Sequence, residues 1–370
     1  MAGIYIHIPF CQSRCIYCDF YSTTSGRDVM ADYVRALIHE MQLRRHYIKD
    51  TRVHTIYIGG GTPSLLPTGL IHDIFKAIGQ LFSVEQEAEI TIEANPDDVT
   101  PQWLQGLAST PVNRISMGAQ SFNDDILRFL GRRHNARQIA DAVRNCQEAG
   151  INNISLDLIY GLPGQTMTDW QHDVDCALKL GIQHLSAYAL SYEEGTRLDR
   201  MLRSGLVEEA DEELSWQMYE HLTEATEQAG FLHYEISNFA QPGFHSRHNS
   251  SYWQSEPYLG LGAGAHSYDG CKARRANQPN LKAYIAAEGD VPHETELLNA
   301  DELYDEFIMT RLRTAAGLPL NLLSDADRRY CLKMAEPHIH NGKLQLSDSN
   351  LKLTRTGIFT SNDIISDLMK

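Results

Sequence analysis

The stretch Cys11-Gln-Ser-Arg-Cys15-Ile-Tyr-Cys18 places three cysteines within eight residues, in the spacing C-x3-C-x2-C. Three thiolates fill three corners of a four-iron cubane and leave the fourth iron open, much as a catalytic zinc site keeps one ligand position free. A zinc knuckle is the alternative, but it usually pairs two C-x2-C blocks, and no second block follows here. We therefore interpret Cys11, Cys15 and Cys18 as ligands of a [4Fe–4S] cluster.

Composition narrows the class of protein. The chain has 370 residues and a formal net charge of −16, which argues against broad nucleic-acid binding because phosphates require positive potential. No stretch approaches the ~20 apolar residues that span a membrane, so we expect no membrane anchor. The first ten residues lack a basic leader and a small-residue cleavage site, so no signal peptide is expected. An oxygen-sensitive cluster agrees with a reducing, cytoplasmic location.

Residues 1–190 alternate between β-rich runs and helical patterns, which indicates βα units and a parallel sheet. The predicted strands are Ile4–Ile8, Val53–Ile58, Glu89–Glu93, Arg114–Met117, Ile154–Ile159 and His184–Leu190. The predicted helices lie near residues 29–47, 67–81, 100–108, 135–149 and 167–180. Six units are too few for a closed eight-fold barrel and predict an α/β fold with a partial (β/α)6 barrel, followed by a small C-terminal α/β domain.

Unusual polar and glycine residues fall where predicted strands end. The cysteine loop follows strand 1, the turn Gly59–Pro63 follows strand 2, and Glu93 ends strand 3. Gln120 follows strand 4, and Asp157 lies in strand 5. Because sites in parallel barrels lie at the carboxyl ends of the strands, we expect these groups to share one rim.

The second half predicts two further regions. We expect residues 1–230 to form the barrel, 231–280 an aromatic and glycine-rich extension, and 281–370 the small C-terminal domain. The extension contains His248-Asn249-Ser250-Ser251-Tyr252-Trp253. Its histidine could bind iron or form a hydrogen bond within the core, and from the residues alone the second reading is favoured. His245 and His266 receive no role.

Several motifs together resemble the radical S-adenosylmethionine (SAM) superfamily, in its branch of anaerobic coproporphyrinogen III oxidase-like proteins. The resemblance is closest to heme chaperones of the HemW type. It is carried by Tyr5-Ile-His-Ile-Pro-Phe-Cys11, Cys15-Ile-Tyr-Cys18-Asp-Phe20, Gly59–Pro63, Ile92-Glu93-Ala-Asn-Pro96, Arg114-Ile-Ser-Met-Gly-Ala-Gln120, Asp157-Leu-Ile-Tyr-Gly161 and His248-Asn249-x-x-Tyr252-Trp253.

The resemblance implies cofactors and residue roles. The cysteines would hold the [4Fe–4S] cluster, with SAM on its open iron. The residues implied to line SAM sites are Tyr5, Gly60, Gly61, Thr62 and Glu93, and those matching a second SAM position in the oxidases are Tyr17, Gln120, Arg132 and Asp157. His248 would be associated with heme.

Three departures separate the chain from the oxidases, and one is the motif His248-Asn249-x-x-Tyr252-Trp253, which the resemblance assigns to the chaperone branch. Phe20 stands where the oxidases have a further cysteine, and only ten residues precede Cys11. We therefore expect a heme chaperone that passes heme to a haemoprotein acceptor, with a respiratory haemoprotein and a homodimer as further expectations. The alternatives are an oxygen-independent coproporphyrinogen III oxidase, which starts oxidative decarboxylation with a SAM-derived radical, and a radical SAM enzyme on another substrate, such as a methylase. SAM cleavage is compatible with all three, and we predict no catalytic residue.

Overall fold

The structure is a computed structural model that describes residues 2–48 and 52–370. Its large sheet has twelve strands in the order β12-β11-β10-β9-β1-β2-β3-β4-β5-β6-β8-β7, and its small sheet has three in the order β13-β15-β14. The strands are β1 (Ala2–Ile8), β2 (Arg52–Gly60), β3 (Ser83–Ala94), β4 (Arg114–Gln120), β5 (Asn153–Tyr160), β6 (His184–Ala189), β7 (Leu232–Glu235), β8 (Asn238–Ala240), β9 (Tyr258–Leu261), β10 (His266–Tyr268), β11 (Ala273–Asn277), β12 (His293–Leu297), β13 (Leu318–Pro319), β14 (Leu344–Ser347) and β15 (Asn350–Leu353).

Helices connect these strands. The α-helices are α1 (Met30–Leu43), α2 (Thr68–Leu81), α3 (Pro101–Leu107), α4 (Asp124–Leu130), α5 (Ala136–Glu148), α6 (Met167–Lys179), α7 (Arg197–Arg203), α8 (Glu212–Gln228), α9 (Arg247–Trp253), α10 (Leu281–Ala286), α11 (Ala300–Leu312), α12 (Asp325–His340), α13 (Arg355–Phe359) and α14 (Ser361–Leu368). Short 3₁₀ helices cover Arg27–Val29, Pro63–Leu65, Pro96–Asp98 and Leu320–Leu322. None of the described helices is long and apolar enough to cross a membrane.

The predicted fold class is confirmed. Strands β1 to β6 pair in parallel and in chain order, as βα units require. The sequence analysis missed helix α4. It also missed β9, which pairs in parallel with β1 on the edge that faces away from β2 and extends the barrel by one strand.

The barrel strands alternate between two environments. In β1, Ile4, Ile6 and Ile8 are fully buried in the large hydrophobic core, while Tyr5 and His7 alternate with them. Fully buried parallel strands are usually apolar on both faces. Here the second face of the barrel strands is polar, and on β2 to β6 its side chains line an internal cavity.

A second hydrophobic core lies near the end of the chain. Its buried members run from Tyr304 to Leu368 and come from α11, α12, α14 and the small sheet. Arg274 of β11 forms an ion pair of 2.7 Å with Glu306 of α11. The division into residues 1–230, 231–280 and 281–370 stays a prediction.

Candidate functional site

A cavity of about 540 Å³ opens at the carboxyl ends of the parallel strands. It is lined by the cysteine loop, by the glycine turn after β2 and by the ends of β3 to β6. Eleven of the predicted site residues line it: Cys11, Cys15, Tyr17, Cys18, Gly60, Gly61, Thr62, Glu93, Gln120, Arg132 and Asp157. Tyr5 and His248 lie outside this lining.

Backbone hydrogen bonds hold the cysteine loop at two points. Cys11 N–H donates to the carbonyl of Thr23 over 2.9 Å, and Ile16 N–H donates to the carbonyl of Leu130 over 3.1 Å. The Ile16 side chain is buried beside Leu130 in a small apolar cluster. These bonds fix the backbone on both sides of Cys15, so the three thiols share one wall of the cavity.

The glycine turn lies directly against the cysteine loop. Gly61 N–H donates to the carbonyl of Ile8, and Thr62 N–H donates to that of Phe10, both over 2.8 Å. A Cβ on Gly61 would lie 3.0 Å from the Cys11 Sγ. Gly60 has a φ of +113°, and a Cβ there would lie 2.6 Å from the His7 ring. The close approach of the two loops therefore requires glycine at both positions.

The surroundings of the sulfurs fit a thiolate-bound cluster. The Thr62 hydroxyl donates to Cys11 Sγ over 3.5 Å, and Arg132 Nη1 donates to Cys15 Sγ over 3.4 Å. Hydrogen bonds to cluster sulfurs and a partly enclosed site are among the features that tune such clusters.

The three thiols do not converge on a single point. Within residues 2–48 and 52–370, no three Cys, His, Asp or Glu side chains are placed to hold one metal ion. In a cubane each thiolate binds a different iron, so the set of donors fits the cluster without such convergence.

Glu93 is the carboxylate nearest the glycine turn. It accepts a hydrogen bond of 2.7 Å from the Tyr57 hydroxyl and one of 3.1 Å from Gly60 N–H. Burial raises its pKa to about 7, and burial raises the pKa of Asp157 to about 6. Both carboxyls can thus accept hydrogen bonds from ligand hydroxyls when they are ionised.

Gln120 and Arg132 are positioned by an irregular end of β4. The register of β4 with β5 shifts between Gly118 and Gln120, and Gln120 has a left-handed φ of 66°. Such bulges often redirect a side chain beside a site. Arg132 Nη2 donates to the Gly118 carbonyl over 2.6 Å and also bonds Asn95. Both side chains consequently face the cavity.

His248 is buried beneath the cavity with both ring nitrogens engaged. Its Nδ1 pairs with the Thr55 hydroxyl over 2.9 Å, and its Nε2 pairs with the Tyr252 hydroxyl over 2.8 Å. The ring stacks on Tyr57 at 5.1 Å and on Tyr5 at 6.4 Å. Burial lowers the pKa of His248 to about 3, so the ring is neutral. Both nitrogens are occupied by these bonds and His248 does not line the cavity, so the predicted association with heme stays a prediction.

The cavity also contains residues to which the sequence analysis gave no role. They include Tyr57, Arg114, Ser116, Ser186, Tyr188 and Asn249. Strand alternation is the signal that could have identified Arg114 and Ser116, because both lie in phase with Gln120, a predicted site residue of the same strand. Asn249 carries no such signal, since it reaches the cavity from α9.

Comparisons with known proteins agree with this geometry. The sequence pattern of the radical SAM superfamily matches residues 5–177, and that of the HemN C-terminal domain matches residues 298–360. A Mycobacterium tuberculosis protein described as heme chaperone HemW is 35% identical over 372 residues, covering 99% of this chain and 94% of its own. The chain belongs to the HemW family of radical SAM proteins.

Other members of the HemW family show the same level of similarity. The Lactococcus lactis protein is 41% identical over 85% of this chain and 82% of its own, and the Escherichia coli protein is 33% identical over 86% and 84%. Among solved structures, coproporphyrinogen III oxidase (HemN) of Escherichia coli aligns with a TM-score of 0.85 over 100% of this chain and 90% of its own. At a sequence identity of 22%, this alignment shows that the two proteins share a fold.

The pH dependence of stability tests the environment of Glu93. Its pKa rises from 4.5 to about 7 on folding, so the folded state binds this proton more tightly than the unfolded state. The free energy of unfolding therefore falls as pH rises through this window, by an amount on the order of 3 kcal/mol from this group. Glu93→Gln removes that loss, and the variant should gain stability relative to wild type as pH increases.

Urea denaturation of the metal-free protein across this pH range measures the effect. Glu87→Gln is the control, because Glu87 is exposed on the same strand. If the free energy of unfolding depends on pH in the same way in wild type and Glu93→Gln, Glu93 is not in the buried environment described here.

Proposed function

We propose that this protein binds heme and transfers it to a haemoprotein acceptor, and that it carries a [4Fe–4S] cluster with an exchangeable SAM. The observation that supports this most is similarity to proteins described as heme chaperone HemW, at 33–41% identity over most of the chain. The cavity supports the cofactor part, because it joins three thiols of one loop to a glycine turn and two carboxylates. We place the protein in the cytoplasm.

Each wall of the cavity has a distinct part in cofactor binding. Cys11, Cys15 and Cys18 would hold the cluster, which supplies an open iron and an electron when SAM is bound. Gly60 and Gly61 let the backbone approach the ligand closely. Glu93 accepts hydrogen bonds from ligand hydroxyls, and its own bonds from Tyr57 and Gly60 hold it in place.

The remaining predicted residues divide into lining and support. Tyr17, Gln120, Arg132 and Asp157 line the same cavity, and we propose that they contact SAM there. Tyr5 acts from behind the lining: its ring stacks on Tyr57 at 6.2 Å, and its hydroxyl pairs with His7 over 3.1 Å. Tyr5 therefore keeps Tyr57 oriented toward Glu93.

A coproporphyrinogen III oxidase is the second candidate, because the fold matches that of the oxidase along the whole chain. Phe20 counts against it. Its side chain is 63% exposed at the cavity, at the position where the resemblance places a further cysteine in the oxidases. The cavity thus lacks a thiol that the oxidases would present there.

Anaerobic assays of one reconstituted preparation separate the two candidates. We expect stoichiometric heme binding, visible as a Soret band, and no conversion of coproporphyrinogen above the background without enzyme. Transfer is followed by mixing the heme-loaded protein with an apo-haemoprotein and measuring recovery of its spectrum. Conversion of coproporphyrinogen, or failure to bind heme, would overturn the proposal.

Cluster assembly tests the cysteine ligands. Cys15→Ser should lose the four-iron complement while keeping its helix content, because the hydrogen bonds that fix this loop are made by the backbone. Cys176→Ser is the matched control, since Cys176 lies on α6 and does not line the cavity. Iron and sulfide analysis with circular dichroism gives the measurement. Full iron loading of Cys15→Ser would contradict the ligand assignment.

His248 can bind heme iron only if it leaves one of its hydrogen bonds. We expect His248→Ala to lower heme stoichiometry, and Tyr252→Phe, which frees Nε2, to retain or strengthen heme binding. Anaerobic heme titration of both variants against wild type gives the comparison. Equal stoichiometry and an unchanged Soret band in His248→Ala would restrict this residue to packing beneath Tyr57.

A further inference from the structure

The interior of the barrel contains a buried arginine that no other role explains. Arg114 begins β4, is 1% exposed and lines the cavity. Within residues 2–48 and 52–370, no hydrogen bond or ion pair to its guanidinium is found, and its Nε has no partner. A charged group buried without direct partners is costly unless nearby opposite charge stabilises it.

Two carboxylates provide that opposite charge across the cavity. Arg114 lowers the pKa of both Glu93 and Asp157 by its charge, in opposition to the burial that raises them. Arg132, the other cation facing Asp157, is occupied by Cys15, Gly118 and Asn95. Arg114 is therefore the cation of the barrel interior that acts on both carboxylates.

Apart from Arg132, the remaining titratable groups around these three are neutral near pH 7. Burial lowers the pKa of His184 and of His248, and burial raises the pKa of each neighbouring tyrosine. The groups that face Arg114, Glu93 or Asp157 from the surrounding elements are Tyr5, Tyr57, Arg132, His184, Tyr188, Tyr234, His248 and Tyr252. None of them can replace the charge of Arg114 on Glu93.

We propose that Arg114 is a positioning residue of the cavity, whose charge favours the ionised forms of Glu93 and Asp157 so that they accept hydrogen bonds from the hydroxyls of a bound nucleoside. Arg114 acts without contacting either carboxylate, so both retain their lone pairs for the ligand. The ligand in this inference is the SAM of the proposed function, and the inference depends on that proposal for the ligand alone. The state of the carboxylates is a property of the ligand-free protein.

Infrared titration of the ligand-free protein tests the charge effect directly. The protonated carboxyl band of Glu93 is assigned by its loss in Glu93→Gln, and that of Asp157 by its loss in Asp157→Asn. In Arg114→Gln, the protonation midpoint of Glu93 should rise above that of wild type, as expected for loss of an opposite charge in the same cavity. Arg114→Lys should shift it less. An unchanged midpoint in Arg114→Gln overturns the proposal.

Arg133→Gln is the matched control, because Arg133 also lines the cavity but forms ion pairs with Asp97 at 3.2 Å and Asp98 at 2.8 Å. In Arg133→Gln, the protonation midpoint of Glu93 should equal that of wild type. If Arg114→Gln fails to fold, the double variant Arg114→Gln/Glu93→Gln decides. Recovery of folding supports charge compensation, and failure of the double variant overturns it in favour of a packing role.

Binding of SAM to the cluster-loaded protein gives the second readout. Arg114→Gln should bind SAM more weakly than wild type at acidic to neutral pH, and the difference should narrow at alkaline pH, where both carboxyls ionise without help. A loss that is equal at every pH overturns the proposal. If the wild-type protein binds no SAM at any pH, the proposed cofactor is refuted. The infrared midpoints of the ligand-free protein then still test the role of Arg114.

Discussion

Parallel pairing of β1 with β2, continued past the ends of both strands, is the constraint on which the cavity depends. The carbonyls of Ile8 and Phe10 accept hydrogen bonds from Gly61 and Thr62, so the loop that carries the cysteines is fixed against the glycine turn. A side chain at position 61 would meet the Cys11 sulfur, and one at position 60 would meet His7. Since Gly60 N–H also donates a hydrogen bond to Glu93, the contact that places the thiols also places the carboxylate at the end of β3.

A polar barrel interior creates a second requirement, because its buried groups must be paired. Helix α9 closes the end of the barrel opposite the cavity mouth. Glu89 accepts hydrogen bonds from the N–H groups of Arg247 and His248, which the first turn of this helix leaves without helical partners. The imidazoles of His248 and His184 are neutral and pair with hydroxyls of Thr55 and Ser155. Beneath the cavity, the buried carboxylate of Glu89 is thus paired with backbone N–H groups, and the neutral imidazoles are paired with hydroxyls.

Local sequence was sufficient to predict the barrel and its rim. Each of the six parallel strands is marked by a β-rich run followed by a helical segment, and strands in parallel order bring their carboxyl ends together. The groups expected on that rim, from the cysteine loop to Asp157, do line one cavity. Strand β9 could not be recognised in this way. Tyr258–Leu261 is short and contains glycine, and it becomes a barrel strand only by pairing with β1, more than two hundred residues earlier.

The same dependence on distant contacts explains why His248 was hard to interpret from sequence. Its motif could be located, but its burial follows from Thr55 and Tyr57 of β2, which the motif does not specify. In the structure, helix α9 connects two parts of the molecule. Asn249 lines the cavity, and the carbonyl of Gln254, which ends α9, accepts a hydrogen bond of 3.1 Å from Arg311 of α11 in the C-terminal core. A motif in the second half of the chain therefore belongs both to the cavity built by the first half and to the packing of the last.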